Sequence, residues 1–162
     1  MRHPQRTPHD SDPRWGGSTS RSASCPLCTE EGGTIVWRDA DWRVIRVADT
    51  DFPAFYRVIL NHHMVELSDL SVAERERCMS LVCAVECVLR ERLRPTKINL
   101  AALGNMVPHL HWHIVARFGW DSHFPQPIWG QAQREVTPAA LQRLPVSLAE
   151  LDAAVQAGLT AL

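Results

Sequence analysis

Three imidazoles fall at alternate positions in Pro108-His109-Leu110-His111-Trp112-His113-Ile114-Val115. Near neutral pH an imidazole can bind a metal, move a proton or attack an electrophile. If the segment is a β-strand, successive side chains point to opposite faces. His109, His111 and His113 then line one face at intervals of about 6.6 Å, and Leu110, Trp112 and Ile114 face the other. Neighbouring imidazoles disfavour each other's protonation, which keeps a nucleophilic nitrogen free. Imidazole attacks phosphorus well, because the phosphoramidate it forms passes its phosphoryl group on to water. The rest of phosphoryl transfer is positioning and neutralisation of charge. Spacing alone leaves both options open, a metal site and a nucleophile.

A second group with chemistry is Cys25-Pro-Leu-Cys28. In a reducing compartment that spacing suggests a metal knuckle or a redox pair rather than a structural disulfide. The chain holds five cysteines, an odd number and a poor match to a disulfide framework. Cys78, Cys83 and Cys87 fall in a helical stretch and are expected to be small buried apolar residues.

These groups need a scaffold, and the chain supplies its signals in order. Residues 1–24 are rich in Arg, Ser, Pro and Gly with one large apolar residue, Trp15. Such a segment buries too little to offset its ordering entropy and is expected to be a disordered tail. Thr34–Trp37 and Trp42–Val47 are β-rich runs around a polar turn, a hairpin signal. Phe55–Leu60 reads as a third strand, followed by a loop carrying Asn61-His62-His63. Ser71-Val-Ala-Glu74 is a capping box opening a helix over Val72 to about Arg92, with Val82, Val85, Leu89 and Leu93 as its buried face and Pro95 ending it. Lys97–Leu100 is a fourth strand, Gly104-Asn105-Met106 a tight turn, and the triad segment through Arg117 a fifth strand. Thr137-Pro138 is expected to cap a further helix, and Ser147-Leu-Ala-Glu150 another running towards Leu159. The order implies an α+β domain: about five strands in a mainly antiparallel sheet, one long helix packed on it and a helical C-terminal extension. The expected division is residues 1–24, 25–130 and 131–162.

Composition narrows the partners. A formal net charge of −1 over 162 residues argues against binding a DNA or RNA polymer, which needs a basic face. No apolar run approaches the ~18 residues of a membrane span, and no apolar segment follows the N-terminal arginines as a secretory signal requires. The location expected by default is cytoplasmic.

The residues resemble one known family. His109-Leu-His-Trp-His-Ile-Val115 fits the motif His-φ-His-φ-His-φ-φ, φ being apolar, of the histidine triad (HIT) nucleotide hydrolases and transferases. Asn99, ten residues before His109, and Gly104, five before it, stand where members often carry Asn and Gly. His63-Met-Val-Glu-Leu-Ser-Asp-Leu70 is similar to the family's His-x-x-x-Leu-x-Asp-Leu segment, and Arg117-Phe118 to the Arg-aromatic pair after the triad. The resemblance spans about residues 25–120 and agrees with the fold read from the pattern.

By position, the resemblance implies that His111 is the nucleophile on the α-phosphorus of a small nucleotide. The backbone carbonyl near His109 would hold its other ring nitrogen, and His113 would contact the phosphate or leaving group. Asn99 would help place the phosphate or ribose, and Asn105 and His109 also belong to the expected substrate-binding set. Where members carry a cysteine knuckle, the resemblance implies zinc held by Cys25, Cys28, His63 and His109, a closed Cys2His2 set suited to a structural site. The implied activity is phosphohydrolysis of a nucleoside phosphoramidate or dinucleoside polyphosphate through a nucleotidyl-histidine, with nucleotidyl transfer and homodimers both known in the family. Departures lie at Leu60-Asn61 (often Pro-Lys), Leu100 (often Gly), Asn105 (often Gln) and Ala116 (often Pro). They leave the nucleophile intact and bear on substrate choice. Two other readings compete: a nucleotide-binding interaction protein with little turnover, and a zinc protein whose metal site is the triad itself.

Overall fold

A computed structural model describes residues 21–162. The proposed disorder of the tail falls almost wholly on residues 1–20 and so lies outside the described residues. Five strands form one sheet: β1 (Thr34–Arg38), β2 (Trp42–Arg46), β3 (Phe55–Leu60), β4 (Lys97–Ala101) and β5 (His111–Arg117). They lie in the order β1-β2-β3-β5-β4, with every neighbouring pair antiparallel. The triad strand β5 is therefore central, with Ile59 opposite His111 and Arg57 opposite His113 on β3. On its other side Ala101 faces His113 and Asn99 faces Val115.

Alternation along the strands gives the sheet two unlike faces. Trp42, Val44, Tyr56, Val58, Leu60, Ile98, Ile114 and Ala116 point back into the main core. That face is covered by the long helix α2 (Val72–Leu93), whose Cys78, Leu81, Val82, Val85, Leu89 and Leu93 recur every three or four residues and are all buried. The Ser71–Glu74 capping box forms with both bonds present, and the helix closes on Arg94 just before Pro95. Cys83 and Cys87 correct the expectation of burial, because both are exposed. They lie one turn apart on a side of α2 rotated away from the Cys78–Val82–Val85–Leu89 stripe, so only Cys78 meets the sheet.

The last helix, α3 (Leu148–Thr160), also starts on a complete capping box, Ser147 with Glu150. It sends Leu151, Val155 and Leu159 into the same core. Asp152 fixes its angle: both carboxylate oxygens lie 3.0 Å from Arg46 Nε, and Oδ1 accepts from the Tyr56 hydroxyl at 2.7 Å. Burial and that neighbouring carboxylate raise the Tyr56 pKa, so the phenol stays a donor. The helix expected after Thr137-Pro138 does not form. Only a single tight turn, Ala140–Arg143, follows, capped by no side chain. Pro145 is the reason: it holds Leu144 extended (φ −72°, ψ 139°) and leaves room for one turn. No helix among the described residues is long and apolar enough to cross a membrane.

The front face carries the histidines and is covered only at its two ends. At one end a four-residue helix, α1 (Pro26–Thr29), packs Cys25, Leu27 and Cys28 on Ile45 and Ile59. At the other, Phe52, Phe55 and Val115 meet Ile128 of the segment that follows β5.

Candidate functional site

The sheet ladder begins at His111, and His109 sits in the chain entering it. The alternation nevertheless persists across that join, because Leu110 is held on both sides: its amide donates to Met64 O (2.7 Å) and its carbonyl accepts from Leu60 N (3.3 Å). These bonds bring the 61–66 loop against the triad. His63 and His109 approach edge-on, ring centroids 5.4 Å apart.

At this end four ligand atoms converge. Those of Cys25, Cys28, His63 and His109 all lie within 4.8 Å of one another. The Cys-Pro-Leu-Cys segment makes one helical turn with Pro26 in its first turn, which places both thiols on one side. Arg43, itself buried, holds that turn by donating to Leu27 O (2.6 Å) and Asn61 Oδ1 (3.2 Å). Cys25 Sγ lies 3.4 Å from His109 Nδ1, and Cys28 Sγ lies 3.4 Å from His63 Nδ1 and 3.5 Å from His109 Nδ1. A tetrahedral zinc bonded at about 2.3 Å to sulfur and 2.0–2.1 Å to nitrogen separates such ligands by roughly 3.5 Å. The spacing fits. So does the tautomer, since a carbonyl can only accept. His109 Nε2–H therefore donates to Leu60 O at 2.8 Å, and the lone pair of Nδ1 faces the thiols. Burial pushes the Cys28 thiol up and pulls His109 down to about 4, so a neutral imidazole stands ready as a ligand.

The same logic settles His111. Its Nδ1 lies 2.6 Å from the carbonyl oxygen of His109 and must donate to it, leaving the lone pair on Nε2. Burial lowers the His111 pKa, outweighing its backbone bond, with the Arg57 charge acting in the same direction. The ring is neutral near pH 7 with one nitrogen free to attack.

His113 follows at 4.7 Å between ring centroids. Both of its ring nitrogens are buried without a hydrogen-bond partner. Burial, then Arg57 and His111, push its pKa down to about 3. Phe55 and the half-exposed Trp129 pack against its ring at 5.4 and 5.2 Å. A cleft of about 570 Å³ opens here, lined by Asn99, Ala101, His113, Val115, Ile128 and Trp129. A second, of about 400 Å³, takes in Gly104, Asn105, Pro108 and His111. Asn99 and Asn105 thus flank the triad from different clefts, and the turn at Asn105 depends on Gly104 at φ +71°.

Four residues outside the expected site set support it: Arg117, Asp121, Arg43 and Arg57. Asn99 does not stand alone: its Oδ1 accepts from Arg117 Nη1 at 2.7 Å, which turns its amide nitrogen away from that partner. Arg117 and Asp121 pair through two bonds of 2.8 and 3.0 Å, both buried. Asp121 also accepts from the amides of Phe118, His123 and Phe124, folding the loop that carries Trp129. Burial alone would raise the Asp121 pKa, but Arg117 and these amides hold it below the usual carboxylate range. Arg43 and Arg57 are the others. Each is a cation at an inward position of an apolar strand, which is the signal that could have found them. The His123 ring bonds its neighbour Ser122, at 2.9 Å, and packs on Phe52, away from the triad rings.

A family model described as the HIT domain matches residues 29–119. A histidine triad protein from Marinobacter aquaeolei is 26% identical, covers 82% of this chain and 92% of its own, and superposes with a TM-score of 0.64. One from Bradyrhizobium japonicum is also 26% identical, covering 81% and 90% with a TM-score of 0.61. A zinc-bound histidine triad family protein from Mycobacterium smegmatis, 19% identical over 85% and 94%, shares the fold with a TM-score of 0.54. No curated protein matches the chain. With more than half the chain matched and the triad at the centre of the sheet, the chain belongs to the HIT family.

Proposed function

We propose that this protein is a nucleotide phosphohydrolase that cleaves at the α-phosphate of a nucleoside phosphoramidate or dinucleoside polyphosphate. The observation that carries the reading is the 2.6 Å bond from His111 Nδ1 to the His109 carbonyl, which fixes the tautomer and bares Nε2. Nε2 attacks the α-phosphorus, the bond to the leaving group breaks with its electron pair, and the nucleotidyl-histidine is then opened by water. The His109 carbonyl stabilises the positive charge that develops on the ring. His113 supports the phosphate side: its N–H, buried without a partner, costs about 1–3 kcal/mol when left so, a cost relieved when a bound oxyanion accepts from it. Asn99, steadied by Arg117, reaches the same cleft.

Cys25, Cys28, His63 and His109 would hold zinc. Bound there, it would supply structural cross-linking between the N-terminal turn and His109, the residue whose carbonyl orients the nucleophile. The zinc-bound relative from M. smegmatis is consistent with that assignment.

The test is incubation with adenosine 5′-phosphoramidate and with diadenosine tetraphosphate, wild type beside His111→Ala. Turnover by the wild type that disappears in the variant supports the reading. Binding without turnover of either would make this a nucleotide-binding protein instead.

A further inference from the structure

Arg57 is a cation on the triad face that the scheme above leaves unused. It stands on β3 directly opposite His113, so its side chain emerges on the same face. Its Nε is buried without a hydrogen-bond partner. Arg38, Arg43, Arg46, Arg77 and Arg117 each pair with a carboxylate, whereas Arg57 has none among the described residues. Its guanidinium rests on the Phe55 ring, 5.3 Å from the centroid, and that ring packs on His113. A partly buried, unpaired cation is expensive, and proteins keep few of them. Here the cost falls beside the unpartnered ring of His113, with no carboxylate paired to the guanidinium among the described residues.

We propose that Arg57 binds the phosphate beyond the scissile bond, making the enzyme selective for nucleotides whose leaving group is itself a phosphate. This rests on the phosphohydrolase reading and sharpens it, choosing the polyphosphate over the phosphoramidate. The placement supports the leaving-group side. Arg57 pairs across the ladder with His113 rather than with His111, whose opposite residue is Ile59. Its guanidinium also lies over Phe55, whose partner on β5 is Val115, two residues beyond His113 from the nucleophile. The chemistry agrees. When Nε2 of His111 forms its bond to the α-phosphorus, the P–O bond breaks and its electron pair stays on the departing phosphate. That anion needs a counter-charge and no proton, and a planar guanidinium supplies it with paired donors. An amine leaving from a phosphoramidate needs a proton instead, and gains nothing from a cation beside it.

The test compares wild type, Arg57→Met and Arg57→Lys. On diadenosine tetraphosphate, kcat/KM should fall about 10- to 100-fold in Arg57→Met and less in Arg57→Lys. On adenosine 5′-phosphoramidate it should change less than about threefold. Thermal unfolding should show Arg57→Met at least as stable as wild type, because an unpaired cation is lost. Equal losses on both substrates would move Arg57 to the α-phosphate and overturn the proposal, as would no loss on either. Calorimetry of AMP and ADP in a His111→Asn background reads binding without turnover. There, ADP should bind about tenfold tighter than AMP, and adding Arg57→Met should erase the difference. If turnover fails but this difference is present, Arg57 stands and the hydrolase reading falls. If the two nucleotides bind alike, the proposal fails whatever the turnover.

Discussion

The two ends of the triad face stand four residues apart along one segment, yet they have opposite electrical needs. At the His109 end, two thiols and two imidazole lone pairs converge within 4.8 Å and call for a cation. At the His113 end, the unpartnered N–H of that ring and the unpaired guanidinium of Arg57 call for an anion. His111 sits between them, and its orientation comes from the cation end, through the His109 carbonyl. Its target is to be held at the anion end. Under the proposed function the comparison becomes a division of labour within one motif: the first histidine would brace, the second react and the third receive.

His111→Ala, between the two ends, should have the largest effect. Hydrolysis should fall by about 10⁴-fold or more, as loss of a covalent nucleophile does, with the circular dichroism spectrum retained. It should also keep its metal, which separates the nucleophile from the brace. Next, at the anion end, Arg117→Met strands a buried carboxylate at Asp121 and frees Asn99. Chemical denaturation should show a loss of about 3–5 kcal/mol. At the cation end, Cys28→Ala should bring metal content by elemental analysis from about one ion per chain to near none. Activity should then fall only about tenfold, since an oriented nucleophile is loosened rather than removed. Metal lost from His111→Ala but kept in Cys28→Ala would invert the assignment and make the triad the metal site. The smallest effect is expected from Trp129→Ala, where the ring lies edge-on to His113 and is 54% exposed. KM should rise a few-fold with kcat nearly unchanged.

Much of this arrangement was legible in local sequence. Alternate histidines imply a shared face, Cys-x-x-Cys implies one turn, and Ser-x-x-Glu caps appear where the helices start. Strand and helix positions followed within a residue or two because their periodicities are local. Cys83 and Cys87 are exposed against expectation, because composition does not say which side of a helix meets a sheet. The helix after Thr137-Pro138 failed against Pro145, a stop signal only seven residues on. What no local pattern reveals is partnership across strands. Arg57 opposite His113, Arg117 on Asn99, and Arg43 on the carbonyls of the cysteine turn all depend on register. The separate roles of the three histidines came from the family resemblance, and the hydrogen bonds of His109 and His111 give those roles a physical basis.

The central claim is that His111 Nε2 becomes covalently bonded to the nucleotide, and trapping tests it most directly. The protein would be mixed with diadenosine tetraphosphate, quenched in alkali to spare the acid-labile P–N bond, digested and analysed by mass spectrometry. The account predicts an adenylyl group on the peptide carrying His111, absent from His111→Ala. An adduct on another residue, or full turnover by His111→Ala, would contradict it.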